Sequence, residues 1–439
     1  MKILIAHQNF PGQYLHLARY LGAIPGNEVI FITQREDGEL PGVRKIVYKP
    51  KRKPTKGIHH YLVETEAATL NAQEVLRVAL SLKDAGFVPD IMLGHNGWGE
   101  TWYLKDVYPQ VPLIAYFEFF YHANGVDVDF EPGKSILAPD TAPRVRTKNL
   151  GNLIGLDAAD AGQCATHWQK QLYPKRYQSM LHVLHEGVAT QQITPDPKAT
   201  LSVKDPNNQG SNKTFIAGEE ILTFVARNLE PYRGFPSLMR SLPAILKRRP
   251  KAQVLIVGAD GVSYGAAPPA GSTFRDMLLK ELGDSLDLKR VHFLGQLPYS
   301  EYLKVLQVSR VHVYLTYPFV LSWSMLEAMS AGCLIVGSST PPVEEVIRHG
   351  ENGLLVDMFN TGEITEYVVE ALKDAKAYVS LRQAARNTVV ENYDLQTVCL
   401  PAYLRLLNVY LGTRKQTASN LVNSQVQVPN VVRLKAGQK

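Results

Sequence analysis

Short apolar runs alternate with amphipathic stretches along most of the chain. The first half contains the strand-like runs "MKILIAH", "EVIFIT", "DIMLGHN" and "PLIAYFEFF". A helix is predicted from about Tyr14 to Leu21, after a turn at Pro11 and Gly12, and residues 61–85 have the period of a long amphipathic helix. Because parallel strands are apolar throughout and are joined by helical crossovers, this alternation predicts α/β layers with parallel sheets.

A polar stretch interrupts the alternation at residues 190–214. It is rich in Pro, Asn, Asp, Gly and Ser, which is typical of a linker, and "ATLSV" within it could form a short hairpin. The alternation then restarts with the strands "ILTFVAR", "AQVLIVG", "RVHFLG" and "VHVYLT", and helices are predicted over 235–248, 273–283 and 300–308. We therefore expect two Rossmann-like β/α/β domains, at 1–195 and 215–395, facing a central cleft.

Length and composition agree with this organisation. The chain has 439 residues, which suits two domains better than one, and it is 45% hydrophobic and 20% charged. No apolar run approaches the ~20 residues of a membrane span, and the N-terminus is too polar after Ala6 for a signal peptide.

Three cysteines lie far apart without metal-ligand spacing, which indicates buried thiols in a reducing cytosol. The tail, 413–439, lacks periodicity and is expected to be mobile or loosely docked.

The formal net charge of +6 is modest for this length and does not indicate nucleic acid binding. The densest basic run is "KPKRKPTK", Lys49 to Lys56. One interpretation is a solvated loop, and the other is a surface for an anionic lipid or an anionic acceptor. The expected location is the cytoplasm, with peripheral contact at the inner membrane face left open.

Two arginines follow a predicted strand of the second half. In "ARNLEPYRGF", Arg227 ends the strand and Arg233 precedes a glycine and a helix. Two guanidinium groups at such a place can bind a diphosphate bidentately, although a pair of ordinary surface arginines is the alternative. The loop of "IVGADGVSYG", which contains Gly258, is a weaker candidate, since no G-x-G-x-x-G occurs at a first βα turn.

A third loop precedes the predicted helix "WSMLEAMSAG". Ser322 is a candidate N-cap whose helix would turn its free backbone amides towards the cleft, with Trp323 and Ser324 in its first turn. Glu327 lies in the second turn. A carboxylate there would repel phosphate but could accept hydrogen bonds from ribose hydroxyls, and a purely structural role is the alternative.

The order of these segments resembles the nucleotide-sugar-binding half of the family 4 (group 1) retaining glycosyltransferases, which have the GT-B fold. The segments are "ILTFVARNLEPYRGF", "AQVLIVGADG", "RVHFLGQLP", "VHVYLTYPFVLSWSMLEAMSAGCLIVGSS" and "VEEVIRHGENGLLV", over 221–356. The first half is less diagnostic, although "MKILIAHQNFPGQYLHLARYL" and "THWQKQLYP…VLHEGV" resemble the family's opening and the passage into its linker.

The resemblance implies transfer of a sugar from a nucleotide diphosphate sugar, a UDP- or GDP-sugar, to a glycan, lipid-linked or small-molecule acceptor. It implies retention at the anomeric carbon, no cofactor and no essential metal, so that cations and amides stabilise the leaving diphosphate. Arg227 and Arg233 match the family's Arg and Lys in this role, with a spacing one residue longer than usual. Glu327 matches the glutamate that holds the ribose, and Leu297 falls where the family's backbone contacts the base. The fold also implies that a C-terminal helix, about 396–412, returns to the first domain.

One position departs from the family. The family has a glutamate that touches the donor sugar eight positions before Glu327, where this chain has Phe319. Either this branch holds its sugar differently, through Ser322, Ser324 and neighbouring amides, or the protein has lost activity. The first interpretation is favoured because the two arginines and Glu327 remain.

In the first half the family often has a histidine near the donor's sugar ring, at the position of Glu118. Glu118 and His122 are both candidates to contact the sugar or the incoming hydroxyl, and a structural role is the alternative for each. His95 and Asn96, in "GHNGWGE", are candidates for the acceptor side. Gly12 would let the backbone approach the diphosphate, as the family's loop does, or is simply part of a tight turn.

Two other classes of function stay open at this stage. One is a catalytically silent protein that binds a nucleotide or glycan, which the missing first glutamate supports. The other is a GT-B phosphorylase or epimerase, although no context identifies the cofactor lysine that a pyridoxal-dependent phosphorylase would need.

Overall fold

The structure is a computed structural model that describes residues 1–133, 138–204 and 212–411. The first domain is built on a parallel seven-stranded sheet in the order β3-β2-β1-β4-β5-β6-β7. Its strands are β1 (Lys2–Ala6), β2 (Glu28–Thr33), β3 (Val43–Val47), β4 (Ile91–His95), β5 (Leu113–Tyr116), β6 (Ala161–Cys164) and β7 (Leu181–Val183).

Helices cover both faces of this sheet. They are α1 (Leu15–Ala23), α2 (Val63–Asp84), α3 (Leu104–Val107), α4 (Thr141–Lys148), α5 (Leu150–Ala158), α6 (His167–Leu172) and α7 (Lys175–Gln178). Side chains alternate between the faces along each strand, so β1 presents Ile3 and Ile5 to one apolar cluster, which includes α1, and Leu4 and Ala6 to another, which includes α2.

An antiparallel hairpin separates the two parallel sheets. Its strands are β8 (Thr200–Lys204) and β9 (Asn212–Ile216). This confirms the short hairpin that the sequence predicts around "ATLSV". The hairpin packs Leu201 and Phe215 against strands of the second sheet.

The second domain contains a parallel six-stranded sheet in the order β12-β11-β10-β13-β14-β15. Its strands are β10 (Ile221–Asn228), β11 (Gln253–Ala259), β12 (Val291–Gly295), β13 (Val311–Tyr314), β14 (Leu334–Ser338) and β15 (Leu354–Val356). Its helices are α8 (Phe235–Arg248), α9 (Phe274–Leu282), α10 (Tyr299–Val308), α11 (Trp323–Ser330), α12 (Pro341–Glu344), α13 (Thr361–Lys373) and α14 (Val379–Tyr393).

The chain ends its described part with α15 (Leu400–Tyr410), which follows a π-helical turn at Leu395–Cys399. Leu400, Leu404 and Leu407 of this helix pack in the same apolar cluster as β1 and α1 of the first domain. Pro401 lies in the first turn of α15, where a missing amide hydrogen costs nothing. The predicted tail, 413–439, lies outside the described residues.

Where the hydrophobic pattern is long, the observed elements have nearly the predicted bounds. Helix α8 has the predicted bounds, and its buried residues Phe235, Leu238, Leu242 and Ile245 recur at helical spacing. Strand β5 ends at Tyr116, four residues before the predicted apolar run does. Four short strands, β3, β6, β7 and β15, have no predicted counterpart. In the described part of the chain, no helix is both long and apolar enough to cross a membrane.

Candidate functional site

The strand order of each sheet leaves one crevice. In each sheet the order reverses beside its first strand, between β1 and β4 in the first domain and between β10 and β13 in the second. Loops that leave the carboxyl ends of strands at such a reversal diverge and leave room for a ligand. Eight of the fourteen sequence-predicted site residues lie on these loops or on the helix α11 that follows one of them, and the others lie on strands or on the loops after β5 and β12.

The two arginines of the second domain occupy different environments. Arg227, on β10, is exposed, and its guanidinium makes no hydrogen bond or ion pair with any described residue. Arg233 is only 8% exposed, and its Nη1 donates to Thr316 Oγ1 and to the Val320 carbonyl, each at 2.9 Å. Its guanidinium also lies 5.1 Å from the centre of the Tyr264 ring. Arg227 is therefore free to bind a ligand, whereas Arg233 also holds the loop after β13.

The backbone at Gly234 fixes where Arg233 lies. Gly234 has φ +68°, and a Cβ there would lie 2.2 Å from the Leu315 Cβ. Only glycine permits both the left-handed conformation and this approach. The turn therefore brings Arg233 against the loop that leads into α11.

Ser322 is the N-cap of α11, as the sequence predicts: its hydroxyl oxygen accepts from the Ser324 amide at 3.4 Å. The Ser322 amide itself donates to the Tyr314 hydroxyl at 2.7 Å. Trp323, the first residue of the helix, donates its indole Nε1–H to Glu186 of the first domain at 2.9 Å. Helix α11 is thus joined directly to the first domain.

Glu327 is held by two phenols of α10. Tyr299 donates to its Oε1 at 2.7 Å and Tyr302 to its Oε2 at 2.6 Å. Burial raises the pKa of Glu327, and these two hydrogen bonds oppose that rise. Each carboxylate oxygen keeps a lone pair, so Glu327 can still accept from a ribose hydroxyl. Leu297, half-buried before α10, packs against the same apolar clusters as its neighbours.

Phe319 packs across the cleft. Its ring is 5% exposed and lies 4.4 Å from the Phe119 ring of the first domain and 4.8 Å from the Tyr264 ring, measured between centroids. Val126 and Val320 complete the same buried cluster. The ring therefore joins the domains and has little surface left for a sugar, and its contact with a donor stays a prediction.

The glycine-bearing loop after β11 is already filled by a carboxylate of the protein. Glu230, 1% exposed, accepts the backbone amides of Ser263, Tyr264 and Gly265 at 3.0 to 3.3 Å. These amides are therefore not available to a phosphate. Gly258 packs against β10, where a Cβ would lie 2.7 Å from the Ala226 carbonyl oxygen. The structure thus gives Gly258 a packing role, and donor contact there stays a prediction.

Glu118 faces the cleft from the first domain. Burial, together with the charge of Glu186, raises its pKa to about 7, while Arg227 and Arg233 oppose the rise. The charges of Arg227 and Arg233, on the second domain, therefore favour the ionised form of this carboxyl group. Gln13 donates to Glu118 Oε1 at 3.2 Å.

Two buried histidines lie on the protein side of this carboxylate, one linked to it through Gln13 and one near its Oε2. His7 binds Gln13 Oε1 through its Nε2 at 2.6 Å, and burial lowers its pKa to about 4. His95 Nε2 lies 3.8 Å from Glu118 Oε2, and burial holds the pKa of His95 well below its ordinary value. Because His95 Nδ1 accepts from the Gly97 amide at 3.0 Å, the neutral ring carries its proton on Nε2, on the side of Glu118.

The other first-domain candidates are held mainly by the protein itself. Asn96, 1% exposed, donates to the Gly151 carbonyl and accepts from Thr101, so its amide has little capacity left for an acceptor. His122 Nε2 donates to the Leu172 carbonyl at 2.8 Å, which leaves only Nδ1 for a substrate. Gly12 has φ +52°, and a Cβ there would lie 2.5 Å from His7 Nε2. Their roles towards ligands stay predictions.

Several residues of this site are not among the sequence-predicted candidates. For example, Gln13 connects His7 to Glu118, Glu186 accepts from Trp323, and Glu230 holds the loop after β11. These three all lie in segments whose resemblance is quoted above, so their position could have suggested them. No group of three or more His, Cys, Asp or Glu among the described residues could hold a metal ion.

Two family models match this chain, one on each domain. The model described as "Glycosyl transferase family 4 group" matches residues 25–193, and the model described as "Glycosyl transferases group 1" matches residues 207–388. Both matches fall on the regions where the sequence resembles this family.

Curated relatives are distant and match in part. The GDP-mannose-dependent alpha-(1-6)-phosphatidylinositol monomannoside mannosyltransferase of Mycobacterium tuberculosis is 25% identical over 232 residues, which are 50% of this chain and 53% of the relative. The D-inositol 3-phosphate glycosyltransferase of Corynebacterium glutamicum is 25% identical over 166 residues, 38% of each chain. The matched stretches therefore span about half, or less, of these relatives.

Solved structures share the architecture over nearly the whole chain. Sucrose-phosphate synthase from Thermosynechococcus elongatus has a TM-score of 0.66 at 18% identity and covers 93% of this chain and 99% of its own. Anabaena HepE in complex with UDP and glucose has a TM-score of 0.64 at 14% identity, with coverage of 93% and 100%. With two family models on two Rossmann-like domains, the chain belongs to the family 4, group 1 glycosyltransferases and has the GT-B fold.

Proposed function

We propose that this protein transfers a sugar, with retention at the anomeric carbon, from a nucleotide diphosphate sugar to a hydroxyl acceptor. The observation that carries the proposal is the opposition of charges across the cleft. Arg227 and Arg233 of the second domain lower the pKa of Glu118 of the first, and Phe119, the next residue after Glu118, lies 4.4 Å from Phe319 of the second domain, measured between ring centroids. A donor bound between them would have its diphosphate on the cations and its sugar beside the carboxylate.

The leaving diphosphate gains negative charge as the glycosidic bond breaks. Arg227 is free to bind it, and Arg233 presents a guanidinium whose orientation is fixed by Thr316 and Val320. The free amides at the start of α11, behind the Ser322 cap, add partial positive charge. Groups whose orientation is fixed before the reaction stabilise developing charge most effectively.

Helix α11 would also bind the nucleoside. Glu327 lies one turn into α11 and keeps free lone pairs for ribose hydroxyls, and Leu297 precedes the helix that holds Glu327 in place. We propose a UDP- or GDP-sugar as donor. The M. tuberculosis relative is described as GDP-mannose-dependent, and the Anabaena structure contains UDP.

Glu118 is the residue proposed to meet the sugar and the incoming hydroxyl. Its Oε2 lies beside the Nε2–H of neutral His95, and its Oε1 accepts from Gln13. Gln13 thus orients one carboxylate oxygen, and His95 lies 3.8 Å from the other, beyond hydrogen-bond distance. In this position the carboxylate can accept a hydrogen bond from a hydroxyl of the sugar or of the acceptor.

Release of free nucleotide from UDP-glucose and from GDP-mannose tests the proposal. The purified protein should release nucleotide from at least one donor, and Arg227→Ala should release it about 100-fold more slowly. Calorimetric binding of UDP or GDP without release from any donor would favour the catalytically silent alternative, which Phe319 in place of the family's glutamate supports. Release that depends on inorganic phosphate would favour a phosphorylase.

A further inference from the structure

Gln13 is the only described residue whose side chain donates a hydrogen bond to the carboxylate of Glu118. Its Nε2 lies 3.2 Å from Glu118 Oε1, whereas His95 Nε2 lies 3.8 Å from Oε2. An amide side chain can present either its N–H groups or its carbonyl oxygen to a neighbour. Which of the two faces Glu118 therefore decides which form of the carboxyl group is favoured.

The orientation of the Gln13 amide is set by His7. His7 Nδ1 accepts a hydrogen bond from the Asn9 backbone amide at 2.9 Å, so the neutral ring carries its proton on Nε2. His7 Nε2–H then donates to Gln13 Oε1 at 2.6 Å. Because the ring binds the carbonyl oxygen of Gln13, the N–H groups of Gln13 lie on the side of Glu118.

The His7 ring holds this orientation at every pH at which Glu118 titrates. His7 is 0% exposed, and burial lowers its pKa to about 4, whereas the pKa of Glu118 is about 7. Gly12 leaves the space that the ring needs. Its φ is +52°, and a Cβ there would lie 2.5 Å from His7 Nε2, so a larger residue would push the ring away from Gln13.

Rotation of the Gln13 amide would reverse its effect on Glu118. An N–H group bound to the charged form of a carboxyl group favours that form. A carbonyl oxygen at the same place would instead accept from the protonated form and repel the carboxylate. His7 thus selects the orientation that favours the carboxylate, which is the form that accepts from a substrate hydroxyl.

The other groups around Glu118 do not provide this contact. Glu186 acts on it through its negative charge, and Arg227 and Arg233 act through their positive charges. The titratable rings that face it are those of His95, Tyr116, Tyr121 and Tyr173. Burial lowers the pKa of this histidine and raises the pKa of each phenol, so all four rings stay neutral while Glu118 titrates.

We propose that Gln13 is a positioning residue of this site and that His7 orients it. Gln13 holds Glu118 Oε1 and favours the ionised carboxylate, which leaves Oε2 for a substrate hydroxyl. The inference rests on the proposed function, because Glu118 is there the residue that meets the sugar and the incoming hydroxyl. It assigns to the loop after β1 a part in setting the pH dependence of the reaction.

Carbon NMR on protein labelled at the side-chain carboxyl carbon of glutamate tests the positioning role without any substrate. Glu118→Gln identifies the Glu118 signal by its loss. Gln13→Met keeps the length of the side chain and removes the amide, so the midpoint of the Glu118 titration should rise by about one pH unit, as expected for one lost hydrogen bond to a charged group. Gln171→Met, the same change at an exposed glutamine of α6, is the control and should leave the midpoint unchanged.

Gln13→Glu keeps the test valid if Gln13→Met does not fold because His7 loses its acceptor. A glutamate at this position still accepts from His7 Nε2–H but places a second carboxylate beside Glu118, which should raise the midpoint further. His7→Phe keeps a ring beside His95 but removes both nitrogens. The Gln13 amide is then free to turn, so the midpoint should rise by less than in Gln13→Met.

The pH profile of kcat/KM for nucleotide release gives the second measurement, and its midpoint should move with the NMR midpoint in each variant. An unchanged or lower NMR midpoint in both Gln13 variants would overturn the proposal, and an unchanged one in His7→Phe would overturn the role of His7. A moved NMR midpoint with an unchanged pH profile would overturn the positioning role. A moved NMR midpoint in a protein that releases no nucleotide from any donor would keep the hydrogen-bond chain and remove the proposed function.

Discussion

The two arginines of the donor site should respond differently to the same substitution. Arg227→Ala removes an exposed guanidinium that makes no hydrogen bond or ion pair with any described residue, whereas Arg233→Ala removes one that is 8% exposed and makes two hydrogen bonds. Both variants should lose about 100-fold in turnover, an effect of about 3 kcal/mol on the barrier. Only Arg233→Ala should also lose stability.

The size of that loss follows from the contacts of Arg233. A hydrogen bond from a charged donor contributes about 1.5–3 kcal/mol, and Thr316, whose hydroxyl would lose its partner, is 0% exposed. Since the two bonds share one nitrogen, we expect a loss of about 3 kcal/mol in the free energy of unfolding. For a domain of this size that is a fall of about 6–12 °C in Tm. Arg227→Ala should change stability by less than about 0.5 kcal/mol.

Calorimetric melting and nucleotide release, measured on both variants, test the difference. Arg405→Ala, an exposed residue of α15 in the first-domain cluster, serves as control and should leave turnover and Tm unchanged. Equal falls in Tm for Arg227→Ala and Arg233→Ala would refute the assigned environments. Near-wild-type turnover in Arg227→Ala would refute the proposed diphosphate site itself.

Three further predictions concern the carboxylates and the interdomain ring. The pKa of Glu118 is about 7, so kcat/KM should rise with pH through about 7 because its carboxylate accepts a substrate hydroxyl. Glu118→Gln should lack this rise in kcat/KM. The same rise in Glu118→Gln would assign the titration to another group. Glu327→Ala should weaken UDP or GDP binding about 10-fold or more in calorimetry, with one charge-assisted hydrogen bond lost, and full affinity would contradict the ribose role. Phe319→Ala should increase the radius of gyration in small-angle scattering, and added nucleotide should reduce it; a profile identical to wild type would argue against a ring that holds the domains together.

The pH dependence of stability at Glu118 has the opposite sign to that of activity. Its pKa in the folded protein is about 7, above the ordinary value of 4.5, so folding favours the protonated form. The resulting contribution to stability is fully present below pH 4.5 and is lost as the pH rises through about 7. Activity that needs the carboxylate therefore increases over the same range in which this contribution disappears.

Long periodic segments of the fold could be predicted from the sequence. The bounds of α8 follow from its apolar spacing, and β10 and β11 are long apolar runs that end in turn residues. Strand β6 has the sequence "AGQC", and its side chains are too small and too polar to stand out as an apolar run. Such a strand is defined by its neighbours in the sheet, which local sequence does not reveal.

In the candidate site, too, local features could be predicted and long-range contacts could not. The residue type at the start of a helix is a local property, so the Ser322 cap could be predicted. Whether a polar group is already hydrogen-bonded by another residue is not a local property. Glu230 fills the loop after β11 from 33 residues away, and Thr316 and Val320 hold Arg233 from more than 80 residues away. The sequence made both arginines candidates for a diphosphate and the loop after β11 a weaker one, and only the three-dimensional contacts show which of these groups another residue already binds.

Phe319 shows how a missing carboxylate can be compatible with an intact donor site. The position is surrounded by the rings of Phe119 and Tyr264 and by Val320, so a glutamate there would be desolvated without a local donor. Arg233, on the loop after β10, donates to Thr316 and Val320 of the loop that contains Phe319. The surroundings of residue 319 are thus suited to an aromatic ring, and the charge beside the proposed sugar comes from Glu118 on the opposite domain. Recognition of the sugar would then depend on closure of the cleft, because its carboxylate and its cations belong to different domains.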